Sequence, residues 1–177
     1  LKYNNCALTL VLNALKGESL TLDQVALIAT EPYAALKYSE EVIKGRWIDG
    51  EPAIATDPIW ALKYARDVIK DRFPAGEAAI ASDSLSSIYY ARHVIKGRFE
   101  LAENVIAQNA YYAVVYAARV VLGRFEAAER FISKSPLDSL AYARDVIKGR
   151  FEAGEKALMS TPHLFEEYQN VVTKFAA

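Results

Sequence analysis

The sequence predicts an all-α protein, a right-handed α-solenoid of two-helix repeats with degenerate end caps. Three observations predict it. Residues of one type recur every 26 positions without an insertion. Helix-start and helix-stop signals fall at the same places in each repeat. Between those signals the apolar residues keep helical spacing.

The recurrence is explicit. Ile28, Ile54, Ile80, Ile106, Ile132 and Leu158 stand in register, as do Tyr38, Tyr64, Tyr90, Tyr116, Tyr142 and Tyr168. Val42, Val68, Val94, Val120, Val146 and Val172 follow the same step. So do Arg46, Arg72, Arg98, Arg124 and Arg150, and Glu51, Glu77, Glu103, Glu129 and Glu155. The whole chain reads as one solenoid domain. Residues 1–27 form a capping half-repeat, 28–157 five full repeats and 158–177 a truncated last repeat.

The opening segment is the N-terminal cap. Ala7 to Lys16 imitates a first helix, Gly17 its stop, and Thr21-Leu22-Asp23-Gln24 is a capping box for a second helix. In the full repeats the first helix begins at a cap such as Asp57-Pro58, where the Asp accepts orphan N–H groups and Pro suits the first turn. Ser135-Pro136 and Thr161-Pro162 repeat the device, and Glu31-Pro32 is a weaker form of it. Ala61, Leu62, Tyr64, Ala65, Val68 and Ile69 then fall on one broad apolar face. The helix is expected to stop at Lys-Gly. Lys44, Lys96 and Lys148 suit the negative end of the dipole, and Gly45, Gly97 and Gly149 are expected to turn left-handed. Asp71 stands where the other repeats have Gly. A shorter second helix follows, as in 73–81, with Phe73 and Ile80 as its apolar contacts. Neither helix is long enough to be stable alone, so neighbouring repeats must bury one another. At the far end Phe175-Ala176-Ala177 replaces Gly-Arg-Phe, and the array is expected to end, or to be cut, after one helix.

Composition narrows the function classes. A net charge of −1 gives no general attraction for nucleic acid or anionic membrane. The single cysteine, Cys6, excludes an internal disulfide and a cysteine metal cluster. The apolar run from Ala7 to Leu15 is too short to span a bilayer and lacks a cleavage site after it. These features predict a soluble protein of the cytoplasm, of a bacterial cell or an infected host. No phosphate loop, metalloprotease motif or nucleophile elbow occurs, and His93 and His163 fall at different repeat positions. Neither a catalytic residue, a metal nor a cofactor is expected.

Residues common to all repeats should serve the packing common to all repeats. The arginines and glutamates are therefore expected to bridge the interhelix loop to the second helix, and the tyrosines to be core residues whose hydroxyls reach an edge partner. Function should lie where repeats differ. On the first helix that points to Trp60, Tyr89, His93, Tyr112 and Arg119, aromatic and cationic residues of the kind that anchor protein interfaces. The opposing expectation is that these aromatics seal the groove between adjacent first helices. In the fourth repeat Tyr111, Val115, Ala118 and Leu122 make an i, i+4, i+7, i+11 stripe. The second repeat has Ile59, Lys63, Arg66 and Lys70 there, so an apolar ridge is expected where its neighbours carry charge, as a homodimer or partner contact. The basic stripe Lys63, Arg66, Lys70, Arg92, Lys96, Arg144 and Lys148 could track phosphates, but the fourth repeat interrupts it and a solvated face is the better account.

The run Asp57 to Phe73, DPIWALKYARDVIKDRF, resembles the tandem YARDVIKGRF-type repeats of uncharacterised bacteriophage and bacterial proteins. The resemblance covers residues 28–172 and carries no activity. More loosely, the long-helix, short-helix repeat is similar to HEAT-like and leucine-rich variant repeats, whose members mostly bind proteins, while a few bind damaged DNA. The expectation is a non-enzymatic protein-binding scaffold, phage-encoded and aimed at a host protein. The alternative is a nucleic-acid-binding or base-repair protein of HEAT-like type.

Overall fold

The computed structural model describes residues 5–176, and among them every regular element is a helix. The chain divides into two compact bodies, Leu1–Ile95 and Lys96–Ala177. In the first, α1 (Asn5–Leu15) and α2 (Leu22–Ala29) precede α3 (Pro32–Lys37), α4 (Glu51–Ile54), α5 (Pro58–Lys63), α6 (Glu77–Ala81) and α7 (Ser84–Tyr90). In the second lie α8 (Glu100–Ala107), α9 (Ala110–Tyr116), α10 (Glu126–Ile132), α11 (Pro136–Tyr142), α12 (Glu152–Met159) and α13 (Pro162–Ala176).

Helix starts follow the local chemistry. Thr21 and Gln24 exchange the two hydrogen bonds of a capping box at the head of α2. Asp57 accepts from the N–H groups of Ile59 and Trp60 at 2.9 and 3.1 Å, offsetting two orphan donors of α5. Asp83, Asn109 and Ser135 each accept one such bond at α7, α9 and α11. Glu31 makes none, and α3 relies on its N-terminal Pro32.

The first helices do not stay α-helical. Each widens into a π turn at the repeated tyrosine or just after it: Tyr38–Ile43, Tyr64–Ile69, Ala91–Ile95, Ala117–Val121 and Ala143–Ile147. The residue that then turns left-handed is the one before the expected glycine. Lys44, Lys70, Lys96, Leu122 and Lys148 have φ between 54° and 58°. Gly45, Gly123 and Gly149 do not enter that region, whereas Gly17 does, at φ 89°. The stop is one residue wider than an α-helix end. The carbonyl of Ala65 accepts from both Lys70 and Asp71, and that of Ala143 from both Lys148 and Gly149. A π turn also spends an extra residue, so side chains after it lag the α period. Val68 and Ile69, placed on the core face by α spacing, come out only half-buried, while Ala61, Leu62, Tyr64 and Ala65 are buried as expected. The last helix, α13, has no such turn.

Within each body the core is built from the repeated residues. Ile28, Ile54 and Ile80 are fully buried in the first, as are Ile106, Ile132 and Leu158 in the second. Two-helix packing is tight because small residues face each other. A Cβ added at Gly76 would lie 2.8 Å from the Cβ of Ala61, and one at Gly154 would lie 2.7 Å from that of Ser139. The rings of Phe73 and Phe151 also crowd these glycines, and they pack against Tyr64 and Tyr142 respectively, with ring centroids 5.1 Å apart.

Candidate functional site

Each repeat is joined to the next by one polar relay. Arg72 forks onto Glu77 through Nε and Nη2 at 2.8 and 2.9 Å. The Tyr90 hydroxyl donates to Glu77 Oε1 at 2.8 Å and accepts from the backbone N–H of Phe73 at 2.8 Å. The same four groups recur at Arg46, Trp47, Glu51 and Tyr64, and at Arg98, Phe99, Glu103 and Tyr116. They recur again at Arg124, Phe125, Glu129 and Tyr142, and at Arg150, Phe151, Glu155 and Tyr168. The expected Arg–Glu bridge is present, and the tyrosine's edge partner is that same Glu plus a buried backbone donor. Val25 stands where the cap would need a Glu, and Tyr38 is half-buried. Because every relay arginine is committed to its own glutamate, this edge offers no open fork to an outside phosphate or carboxylate.

The electrostatics follow from these contacts. The arginine beside each of Glu77, Glu103, Glu129 and Glu155 holds the carboxyl below its ordinary value. Burial pushes the phenols of Tyr64, Tyr90, Tyr116 and Tyr142 up to about 12. Among the described residues no cluster of His, Cys, Asp or Glu is placed to hold a metal, and no helix is long and apolar enough to cross a membrane.

The variable residues of the first helices range from half-buried to exposed. In the first body Trp60 is half-buried against Tyr33 of the preceding repeat, ring centroids 4.7 Å apart. It seals the space between α3 and α5. Tyr89 stacks on His93 at 5.8 Å, both exposed. In the second body Tyr111 and Tyr112 meet edge to face at 5.4 Å, with Tyr111 exposed and Tyr112 half-buried. Tyr111 is not peculiar in its exposure, because Ile59, Leu85 and Leu137 at the same repeat position are exposed too. Val115 and Ala118 are half-buried, and Arg119 is exposed. Leu122 is 80% exposed, at a left-handed stop that is Lys in the other repeats. It follows the π turn, so the α spacing that put it in line with Val115 and Ala118 does not apply.

Between α9 and α11, with their π turns, runs an open groove of about 480 Å³ lined by Val114, Val115, Ala118, Arg119, Arg144, Asp145 and Lys148. It thus gathers Val115, Ala118 and Arg119 from the sequence candidates and adds Arg144 and Lys148, which the sequence placed on a solvated face, together with Asp145. Arg144 forks onto Asp145 at 2.8 and 3.1 Å, and this contact lowers the Asp145 carboxyl. The basic stripe is interrupted in the same way at Arg66, which forks onto Asp67 at 2.7 Å. The first body holds a related groove between the π turns of the first and second repeats, lined by Glu40, Lys44, Gly45, Asp67, Val68 and Lys70. A third, at the N-terminal cap, is lined by Leu8, Val11, Leu12, Leu15, Tyr33, Lys37 and Glu41.

Comparison with protein-family models, curated proteins and solved structures gives no match to this chain.

Proposed function

We propose that the chain is a non-enzymatic protein-binding scaffold, a right-handed α-solenoid of 26-residue repeats that takes its partner on the outer face of the first helices, chiefly at the fourth repeat. One observation carries this reading. The groups common to all repeats satisfy one another inside the relay, whereas the fourth repeat puts Leu122, 80% exposed and left-handed, where the other repeats have Lys. A left-handed non-glycine residue costs roughly 1–2 kcal/mol, and an exposed leucine there recovers little of it by burial. Apolar surface kept at such a place suits a contact made with another molecule.

The nucleic-acid alternative gains nothing from the charge pattern, because Arg66 and Arg144 of the basic stripe are occupied by Asp67 and Asp145. On the resemblance to phage and bacterial repeats, we place the encounter in a bacterial cytoplasm with a host protein as partner. Affinity capture from such a host tests the reading. The wild-type chain should retain a protein that Leu122→Lys and Val115→Lys chains release, while all three show the same helical spectrum. Identical capture by all three would defeat it.

A further inference from the structure

The groove between α9 and α11 differs from its counterpart in the first body in both floor and charge. Its floor is Val114, Val115 and Ala118, and its charged lining is Arg119, Arg144 and Lys148 against Asp145 alone. The counterpart sets Lys44 and Lys70 against Glu40 and Asp67, a balanced set. The positions responsible lie on one helix. Where the first repeat has Lys37, Glu40, Glu41 and Lys44, the fourth has Val115, Ala118, Arg119 and Leu122. In the first repeat Lys37 bonds both Glu40 and Glu41, at 3.0 and 2.9 Å. The fourth repeat loses that network and reverses the charge at its centre. Arg144 is matched by Asp145, with Glu167 at 3.4 Å. Arg119 and Lys148 make no ion pair within 4.0 Å among the described residues.

Two cations without an ion-pair partner beside an apolar floor are complementary to a carboxylate beside an apolar side chain. Phosphate backbones would use the cations but leave Val114, Val115 and Ala118 without a partner. A second copy is less suited, because the glutamates of its own corresponding face, Glu40 and Glu41, are already held by Lys37. Resting on the scaffold reading above, we propose that this groove binds an acidic, apolar segment of another protein. Its carboxylates meet Arg119 and Lys148, and its apolar side chains lie on Val115 and Ala118.

The test uses the whole chain and three fluorescein-labelled peptides of about twelve residues, built from Leu and Glu, from Leu and Lys, and from Ser and Glu, read by fluorescence anisotropy. The Leu/Glu peptide should bind, and added salt should weaken it. Arg119→Gln should weaken it several-fold and Arg119→Glu about tenfold or more, in line with loss and reversal of an interface charge. Arg119 is exposed, and unchanged thermal melting of both variants separates lost binding from lost fold. The Leu/Lys peptide should not bind, and the Ser/Glu peptide should bind more weakly than Leu/Glu. Equal binding of Leu/Lys, or Leu/Glu binding indifferent to Arg119, overturns the assignment. So does a labelled DNA duplex bound in an Arg119-dependent way, or a wild-type dimer that Val115→Lys dissociates. If the peptides ignore the groove while host capture still depends on Leu122, the groove's ligand is wrong and the scaffold stands. If neither occurs, both fall.

Discussion

The Tyr142 hydroxyl donates to Oε1 of Glu129 at 2.9 Å and so fastens the fifth repeat to the fourth. The phenol oxygen of Tyr142 also accepts from the buried N–H of Phe125 at 2.7 Å, and Glu129 is forked by Arg124. One phenol thus satisfies a backbone donor that the packing would otherwise leave unpaired and adds a bond to a carboxylate that Arg124 already holds, and among the described residues no buried side-chain polar atom lacks a partner.

Tyr142→Phe keeps the fully buried ring but leaves the Phe125 N–H without its acceptor. The expected loss is about 1–3 kcal/mol of unfolding free energy, the cost of an unsatisfied buried group. Urea denaturation measures it. A change of only a few tenths would mean that water or a backbone shift restores the bond.

The relays also set the pH dependence. Glu77, Glu103, Glu129 and Glu155 are held below their ordinary value of 4.5 by arginine hydrogen bonds. The unfolded chain therefore binds protons first on acidification. Their contribution is complete above the unfolded value and is lost as pH falls through the folded one. Tyr64, Tyr90, Tyr116 and Tyr142 are raised by burial from 10.0 to about 12. Their contribution is complete below the unfolded value and is lost as pH rises from there towards the folded one. Melting temperature should hold between these arms and fall outside them, and Tyr142→Phe should flatten the alkaline arm. An alkaline arm of unchanged slope in that variant would contradict the assignment.

The left-handed stops give a substitution test. Leu122→Gly relieves a Cβ clash and removes a side chain that is mostly in water, so it should stabilise by about 0.5–1 kcal/mol after the added freedom of the unfolded chain. Asp71→Gly should not stabilise, because Lys70 and not Asp71 carries the positive φ. Thermal melts of the two variants separate these outcomes, and a stabilised Asp71→Gly would argue for a stop one residue later.

The proposed solenoid makes a deletion prediction. Removing residues 106–131 would join Val105 to Ile132 and bring Tyr142 into the register that Tyr116 holds with Glu103 and Phe99. A shorter folded helical protein should result, since stacked repeats depend on their neighbours only. Removing residues 106–118 breaks that register and should prevent cooperative unfolding. Calorimetry on both chains decides it, and the opposite ranking would end the solenoid proposal.

Much of the relay was legible in the sequence. Arg72 and Glu77 recur together in every repeat, and five residues apart around a stop they could meet. Tyr90 was legible as a core residue, because a repeated aromatic on an apolar helical face has few other uses. Its second partner, the Phe73 N–H, carried no signal, since any residue supplies a backbone donor. The groove was half legible. Val115 and Ala118 stood out by replacing charge, but Arg144 and Lys148 looked like members of a solvated stripe.

What the sequence determined by itself was the helical class, the 26-residue period, the caps and the residues that bind one repeat to the next. These follow from chemistry that acts within a few residues or is copied in every repeat. What the tertiary structure decided was the π turn, and with it which residue turns left-handed, how deep Val68 and Ile69 go and where Leu122 points. A π turn is chosen over an α turn by a small difference in packing around Tyr64 and its equivalents, between groups many residues apart. The helical period of the run from Tyr64 to Ile69 suits an α-helix as well, so the period alone does not give the turn, which all five full repeats have and α13 lacks.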